Sequence, residues 1–272
     1  MGNNVPQKVL VLVDIDGTII DSDGGLFPGA VGLFSPIPKI IFGLCSARPL
    51  ISVMSIAQKL SNVTYLSALQ GALIAKQQYD SVTPANETIH CSYLTIAELK
   101  EILSIASLLE LDAWIYTEKH WYVKSITAAV KHESQLSGLN PIETAFFDGL
   151  KPVKVLLVSS QQNCFTRTEE ALHKLSAFSI NSVRSKSNYI ELTSQHSSDF
   201  KGADIISKES GIDHRFIVAV GDEMNDKNMI DFAAYGYAFR KSPKALSEGN
   251  FILPNPEDGG LRLLREKLLM MT

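Results

Sequence analysis

The sequence predicts an α/β protein in which a doubly wound parallel sheet carries an inserted α+β module. Short, continuous apolar runs such as Val9–Val13 and Phe216–Val220 are typical of parallel strands that are covered on both faces. Helical patterns separate several of these runs, as expected for crossover connections between parallel strands. The middle of the chain instead contains predicted β-hairpins, which indicate a second kind of layer.

The first part of the chain alternates strand and helix patterns. After the strand at Val9–Val13, further strands are predicted at Lys39–Leu44 and Thr64–Leu66. A helix is predicted over PLISVMSIAQKL with Pro49 as its first residue, because the missing N–H of proline would be unpaired at that position. Near the other end of the chain, Gly211 is predicted to end the helix of GADIISKESG.

The middle segment has a different pattern. Thr95 and Glu98 match a capping box at the start of an amphipathic helix. The sequences DAWIYTE and HWYVKS follow as a predicted hairpin, and VKVLLVSS, TRTEEALHKL, FSINSVRS and YIELT add a strand, a helix and two further strands. We therefore predict a core domain of residues 1–80 and 187–272, and an inserted α+β domain of residues 81–186.

The predicted hairpin carries four aromatic residues, Trp114, Tyr116, Trp121 and Tyr122. Packing between the two strands is the favoured interpretation, because aromatic side chains that face each other stabilise antiparallel pairs. If some of the four instead face a crevice, they would form a platform for a sugar and help to select the substrate.

The overall composition is that of an ordinary globular protein with small ligands as partners. Charged residues make up 20% of the 272 residues and the net charge is −4, which argues against nucleic acid or an anionic membrane as a partner. The three scattered cysteines fit a reducing compartment. Neither a signal-peptide pattern nor an apolar run of membrane-spanning length occurs. We expect a cytoplasmic protein, and its oligomeric state is left open.

Two carboxylates follow the first buried run. Asp14 and Asp16 lie where that run stops, and Gly17 permits the sharp turn required there. Ligands of open α/β sheets bind outside the carboxyl ends of the strands, so both carboxylates are candidates for a site. The alternative is that they merely begin a polar loop. An EF-hand is excluded because Ile19 stands where its glycine is required, and neither GxxxxGK[ST] nor GxGxxG is present.

A second buried run also ends in acidic residues. The sequence VAVGDEMNDKNMI places Asp222 directly after the run, with Asn225 and Asp226 about one helical turn later. If the two strands are neighbours in the sheet, these carboxylates converge with Asp14 and Asp16, and their combined charge requires a cation. Hard oxygen ligands that leave room for water favour Mg²⁺.

Two further positions supply groups that bind anions. Ser46 follows the predicted strand at Lys39–Leu44 and precedes a helix, where free N–H groups and a hydroxyl can hold an anion. Lys201 similarly precedes the helix of GADIISKESG. Carboxylates with a metal on one side, and hydroxyl, N–H and ammonium groups on the other, predict that a phosphate binds between them.

The chain resembles the haloacid dehalogenase-like phosphohydrolases, because four motifs occur in the order of that family. They are DIDGT at Asp14–Thr18, Ser46 after its strand, Lys201 before its helix, and GDEMND at Gly221–Asp226. The resemblance implies a Rossmann-like core, and the inserted segment resembles the C2-type cap of the Cof-like branch. Two departures are QGA at residues 70–72, where this branch often has Asn-Gly-Ala, and SSDFKG, where Ser-Lys-Gly is common.

The resemblance implies a mechanism with named residues. Asp14 would be the nucleophile that forms an aspartyl-phosphate, and Asp16 would protonate the leaving oxygen and then deprotonate the attacking water. Mg²⁺ would be bound by Asp14, the backbone carbonyl of Asp16 and Asp222. Asp226 would be a further ligand or would lie beside the ligands.

The same resemblance assigns residues to the phosphate and to the rest of the substrate. Ser46, Lys201 and Gly17 would bind the phosphoryl group. Arg48 and Asn225 would contact the substrate or orient the residues around it. For Arg48, an exposed arginine at a helix start is the alternative interpretation.

The predicted function is that of a Mg²⁺-dependent phosphatase for small phosphorylated metabolites, with sugar phosphates as the favoured class. One alternative is a phosphosugar mutase of the same superfamily, which returns the phosphoryl group to the substrate instead of to water. The other is a catalytically silent protein that binds a phosphorylated ligand, and the complete acidic set argues against it.

Overall fold

The structure is a computed structural model that describes residues 8–78, 85–160 and 163–271. None of the described helices has the length and apolar character needed to cross a membrane. The strands are β1 (Val9–Asp14), β2 (Ile40–Cys45), β3 (Val63–Ala68), β4 (Leu73–Gln78), β5 (Ala85–Cys91), β6 (Asp112–Tyr116), β7 (Trp121–Val123), β8 (Pro141–Glu143), β9 (Lys154–Val158), β10 (Ile180–Lys186), β11 (Tyr189–Ser194), β12 (Ile217–Gly221), β13 (Tyr235–Phe239) and β14 (Phe251–Leu253). The helices are α1 (Ala30–Leu33), α2 (Leu50–Ala57), α3 (Ile96–Leu108), α4 (Ala128–Ser137), α5 (Cys164–Leu175), α6 (Asp199–Ser210), α7 (Lys227–Phe232), α8 (Lys244–Ser247) and α9 (Gly260–Leu269).

The described residues form two compact units. The first unit contains the residues up to Ala47, Val53–Ile89 and the residues from Ser198 onward. The second contains Arg48–Ser52 and His90–Ser197. In chain order, most of the second unit is therefore inserted between two segments of the first.

The first unit is built on a mainly parallel sheet. Within the described residues this sheet has eight strands in the order β14-β13-β12-β1-β2-β3-β4-β5. β1 pairs in parallel with β2 on one side and with β12 on the other, whereas β4 runs antiparallel to β3. The strand order reverses at β1, which is where doubly wound folds bind their ligands. The predicted fold class, a doubly wound parallel sheet with an inserted α+β module, is confirmed.

The composition of β1 explains why it lies at the centre of this sheet. All six residues of Val9–Asp14 are buried, because the run is apolar on both faces of the strand. Leu10 and Leu12 belong to an apolar cluster with Ile217 of β12 and Ala203 of α6. Burial of each leucine contributes about 2 kcal/mol. The packing therefore fixes Asp14, the last residue of β1, at the end of a central strand.

The second unit contains a sheet of six strands, within the described residues, in the order β10-β11-β9-β6-β7-β8. β6 and β7 form the predicted hairpin, and one face of the sheet packs against α3 and α5. On the other face, the ring centroids of Trp114 and Trp121 lie 5.4 Å apart, and those of Tyr116 and Trp121 lie 5.6 Å apart. These three rings are buried, so their contacts support hairpin packing over a sugar platform. Tyr122 instead packs on the face that is covered by α3 and α5.

A buried ion pair joins β9 and β11 in the second unit. Lys154 Nζ lies 2.6 Å from Glu191 Oε2, and the two side chains are only 7% and 10% exposed. No hydrogen bond of good geometry from the described residues reaches Glu191 Oε2. The positive charge of Lys154 is therefore what compensates this buried carboxylate oxygen.

The limits of the two compact units differ from the predicted domain limits at residues 80/81 and 186/187. The predicted domain limits stay a prediction. The second unit extends to Ser197, because β11 pairs with β9 in the second sheet. Its long segment starts at His90, within β5, whose residues up to Ile89 group with the first unit.

The predicted signals at helix ends are mostly confirmed. Thr95 and Glu98 form both hydrogen bonds of the capping box at the start of α3. Gly211 ends α6 in a left-handed conformation with φ 67°. Pro49 lies directly before α2, which begins at Leu50, so the predicted first residue is one position early.

Candidate active site

Three carboxylates converge at the carboxyl ends of β1 and β12. Asp14 is the last residue of β1, and Asp222 directly follows β12. The two strands are parallel neighbours, with Val13 opposite Val220. Asp14, Asp222 and Asp226 each bring one carboxylate oxygen within 4.8 Å of the other two, and all three residues are buried. The two acidic segments that the sequence places at strand ends thus meet at one point.

Asp226 holds the loop that carries Asp222. Its Oδ2 accepts hydrogen bonds from the backbone N–H groups of Asp222 at 3.0 Å and Glu223 at 3.1 Å. The residue ends a short 3-10 turn at Met224–Asp226. Asp226 therefore orients Asp222 through the backbone, in addition to lying beside it.

Gly17 lets the backbone after β1 approach Asp222. It has φ 76°, and a Cβ at this position would overlap Asp222 Oδ2. Its N–H donates to the carbonyl oxygen of Ile20 at 2.8 Å, and the role assigned to Gly17 in phosphate binding stays a prediction. The next residue, Thr18, is fully buried and donates a long hydrogen bond of 3.5 Å to Asp222 Oδ1. Thr18 lies within the DIDGT motif, but no pattern in the sequence assigns it to the site.

Burial and neighbouring negative charges raise the pKa values of two carboxyl groups in the cluster. Burial raises the pKa of Asp14 well above its usual range. The nearby charges of Asp226, Asp222 and Asp16 raise it further. Burial, followed by the charge of Glu223, raises the pKa of Asp222 to about 6. Both carboxyl groups would therefore ionise more readily beside a cation.

The donor set fits a hard divalent cation. Asp14 Oδ2 is buried and accepts no hydrogen bond from the described residues, although it belongs to a carboxylate of the cluster. All three clustered donors are carboxylate oxygens, which suit Mg²⁺, Mn²⁺ or Ca²⁺ better than Zn²⁺. A bound cation would compensate the charge that raises the pKa values of Asp14 and Asp222.

Asp16 and Asn225 are exposed on the segments that carry the cluster. The side chain of Asp16 lies outside the group of three clustered carboxylates, but its charge acts on both Asp14 and Asp222. The predicted ligand atom of Asp16 is its backbone carbonyl oxygen, which does not require its side chain to join the cluster. Asn225 lies in the 3-10 turn next to Asp226.

Ser46 and Lys201 belong to the same unit as the cluster. Asp14 is opposite Cys45 in the pairing of β1 with β2, so Ser46 lies one residue beyond the level of Asp14. Lys201 is not before a helix, as predicted, but in the first turn of α6. The reason is that Ser198 caps this helix, its side chain accepting a hydrogen bond from the N–H of Lys201 at 3.1 Å.

Arg48 lies in the same loop as Ser46, between β2 and α2, but it belongs to the second unit. Its Nη1 donates to Ser52 Oγ at 3.3 Å, and the residue is half-buried. The roles assigned to Arg48 and to Asn225 in substrate binding stay predictions.

Comparison with known proteins gives relatives that match nearly the whole chain. A Haemophilus influenzae protein named "Putative phosphatase" is 25% identical over 94% of this chain and 97% of its own length. A haloacid dehalogenase-like hydrolase from Bacteroides thetaiotaomicron has a similar structure, with a TM-score of 0.83 and 20% identity over 96% of this chain and 100% of that chain. The HAD subclass IIB sugar phosphatase BT4131 has a TM-score of 0.79 and 16% identity, covering 96% of this chain and 100% of that one.

These structural likenesses show a shared fold. The description "haloacid dehalogenase-like hydrolase" belongs to the family that matches residues 11–262, a range that includes Asp14, Ser46, Lys201 and Asp222. The chain therefore belongs to the haloacid dehalogenase-like hydrolase family.

Proposed function

We propose that the protein is a Mg²⁺-dependent phosphatase of small phosphorylated metabolites, with sugar phosphates as the favoured class, acting through an aspartyl-phosphate on Asp14. The observation that carries this proposal is the buried Asp14 Oδ2, which accepts no hydrogen bond from the described residues. It belongs to the carboxylate cluster at the end of the central strand. The name of the Haemophilus influenzae relative supports a phosphate ester, and the sugar phosphatase among similar structures supports a sugar.

Asp14, the backbone carbonyl of Asp16 and Asp222 would hold the cation, while Asp226 orients Asp222. When bound, Mg²⁺ neutralises negative charge on the carboxylates and on the phosphoryl oxygens. This compensation is needed because a carboxylate and a phosphate dianion repel each other at bonding distance.

The covalent steps use Asp14 and Asp16. A carboxylate oxygen of Asp14 forms a bond to phosphorus while the bond from phosphorus to the ester oxygen breaks. Asp16 donates a proton to that oxygen, so the product leaves as an alcohol. A water molecule then attacks phosphorus, Asp16 accepts its proton, and inorganic phosphate and the Asp14 carboxylate are regenerated. The exposure of Asp16 allows its proton to exchange with solvent between cycles.

The remaining assigned residues bind the substrate. The hydroxyl of Ser46 and the ammonium group of Lys201 would donate to phosphoryl oxygens, where negative charge is spread in the transition state. Gly17 would leave space next to Asp222. Arg48 and Asn225 would contact the part of the substrate beyond the phosphate.

Phosphate release should depend on Mg²⁺. We expect the protein to release inorganic phosphate from p-nitrophenyl phosphate and from members of a panel of phosphorylated sugars. EDTA should abolish release and excess Mg²⁺ should restore it, because the proposed attack of Asp14 on a phosphate dianion requires a cation to reduce the repulsion between them. A colorimetric phosphate assay over the panel, with and without Mg²⁺, measures both effects.

The same screen distinguishes the alternatives. An isomerised sugar phosphate in the absence of free phosphate would indicate a mutase. Binding of phosphate esters without any turnover would indicate a silent binding protein. Either result would contradict the proposed phosphatase.

Gly17→Ala should lower kcat roughly 10²-fold, the effect of misplacing a reacting group by about 1 Å. The added Cβ would overlap the Asp222 carboxylate, and alanine disfavours φ 76°. Gly24→Ala is the matched control, because Gly24 has φ 83° and no atom within 4 Å of an added Cβ. Steady-state rates of phosphate release compare the two variants. Equal losses of kcat would mean that backbone strain, and not the contact with Asp222, causes the effect.

A further inference from the structure

A strained turn connects β3 to β4 in the first unit. Leu69, Gln70 and Gly71 all adopt left-handed backbone conformations, with φ 53°, 56° and 75°. Residues other than glycine rarely adopt this conformation, because Cβ approaches the following carbonyl oxygen. Two of the four non-glycine residues with positive φ in the described part of the chain lie in this one turn. Such strain persists only where the surrounding structure imposes it.

The turn is hydrogen-bonded to the backbone of Ser46. The N–H of Ser46 donates to the carbonyl oxygen of Ser67 at 2.9 Å. The N–H of Gln70 donates to the carbonyl oxygen of Ser46 at 3.1 Å. Both polar backbone groups of Ser46 are therefore held by the end of β3 and by the turn that follows it. A change of backbone conformation at Gln70 would disturb its hydrogen bond to Ser46, so we expect it to alter the position of Ser46.

The same turn contacts the first turn of α6, which carries Lys201. A Cβ on Gly71 would overlap the carbonyl oxygen of Ser198, the residue that caps α6. A Cβ on Gly202 would lie 2.8 Å from Ser67 Oγ and 3.2 Å from the Cα of Gly71. The two glycines thus allow the strained turn and the helix to touch through their backbones.

We propose that the left-handed turn at Leu69–Gly71 is a positioning element that fixes Ser46 and Lys201 relative to each other, so that both reach the same phosphoryl group. The inference rests on the proposed function, because it assigns the turn to that phosphate site. It concerns the backbone conformation of the turn and not the side chain of Gln70. Ser46 and α6 come from distant parts of the chain, and this turn touches both.

Two substitutions at Gln70 separate the backbone from the side chain. Gln70→Val disfavours the left-handed conformation, because valine is branched at Cβ. We expect it to lower kcat by about 10- to 100-fold and to weaken inhibition by inorganic phosphate at least tenfold. Gln70→Gly removes the side chain but accepts φ 56°, so it should restore most of the kcat and phosphate affinity that Gln70→Val loses.

Two further variants provide a control and a second test. Lys39 also has a left-handed backbone, φ 67°, but it precedes β2 at the end opposite Ser46. Lys39→Val should lower the melting temperature as much as Gln70→Val while changing kcat and phosphate inhibition less than twofold. Gly202→Ala acts from the helix side. Alanine favours helices, so Gly202→Ala would stabilise α6 if the helix did not contact the turn. Because the added Cβ would press on Ser67 and Gly71, we expect it to displace the turn and to weaken phosphate inhibition at least fivefold.

The outcomes are distinguishable from a failure of the proposed function. Wild-type kcat and phosphate inhibition in Gln70→Val would overturn the positioning role and leave the phosphatase intact. Equal losses in Gln70→Gly and Gln70→Val would also overturn it, since the side chain would then be responsible. If Gln70→Val does not fold, phosphate inhibition of Gly202→Ala tests the positioning role, and unchanged inhibition in that variant would overturn it. If the wild type releases no phosphate, the proposed function fails, and calorimetric affinities for inorganic phosphate then decide the role of the turn.

Discussion

Asp14→Asn should release inorganic phosphate at least about 10³-fold more slowly than the wild type while it remains folded. The amide of asparagine carries no charge and is a poor nucleophile toward phosphorus, so the aspartyl-phosphate cannot form. Initial rates of phosphate release at saturating Mg²⁺ measure the effect. A variant with the wild-type rate would show that Asp14 is not the nucleophile.

The same substitution should raise the melting temperature when no divalent cation is present. Burial raises the pKa of Asp14 well above its usual range, so ionising this carboxylate costs free energy in the folded state. For an acid whose pKa rises on folding, stability falls as pH increases from the unfolded pKa, about 4, through the folded pKa, and it stays lower above that value. Asparagine removes this loss. At neutral pH we expect an increase of roughly 2–6 °C, measured by calorimetry.

Asp23→Asn is the matched control for this prediction. Asp23 is an exposed carboxylate in the loop after β1, so its substitution makes the same Asp→Asn change of side chain without touching the cluster. It should change neither the rate of phosphate release nor the melting temperature. Saturating Mg²⁺ should stabilise the wild type more than Asp14→Asn, because binding to the folded state alone raises stability. Equal stabilisation of both proteins would argue against Asp14 as a ligand.

Lys154→Met should cause a large loss of stability in the second unit. The substitution leaves Glu191 buried, and its Oε2 then lacks the ammonium group that lies 2.6 Å away. Removing one partner of a buried ion pair typically destabilises a protein by about 3–5 kcal/mol. Chemical denaturation followed by tryptophan fluorescence would detect the loss, since Trp114 and Trp121 are buried in the same sheet.

Two companion variants test whether the unpaired charge is the cause. Lys208→Met removes an exposed pair, in which Lys208 Nζ lies 2.6 Å from Asp204 Oδ2, and should cost at most about 1 kcal/mol. The double variant Lys154→Met/Glu191→Leu removes both buried charges and should recover most of the stability. If the double variant is less stable than Lys154→Met, the ion pair is not the source of the effect.

The centre of the candidate site could be predicted because its signals are local. Val9–Val13 is apolar at every position, which indicates a strand covered on both faces, and the carboxylates at its end then fall in the crevice of an open sheet. The same reasoning located Asp222. The strand order had to be assumed, because an apolar run specifies burial but not its neighbours. The parallel pairing of β1 with β12 supplies that missing step.

Other features depend on contacts that residue types do not encode. Thr18 bonds to a residue 204 positions away, which local patterns cannot reveal. β4 has the sequence LIAKQQ, and its polar second half does not match the apolar pattern by which strands are predicted. Leucine and glutamine disfavour positive φ, so local patterns do not predict a left-handed turn that is held by the hydrogen bond from Gln70 to Ser46 and by the contact of Gly71 with α6.

The pairing of β1 with β12 also has a consequence for synthesis on the ribosome. β1 leaves the ribosome before β12, its partner on one side, which is added about 200 residues later. At 5–20 residues per second, this interval lasts roughly 10–40 s. During that time one edge of this apolar strand has no partner, and such edges associate with other chains. The nascent polypeptide therefore carries an aggregation hazard that disappears once the C-terminal strands emerge.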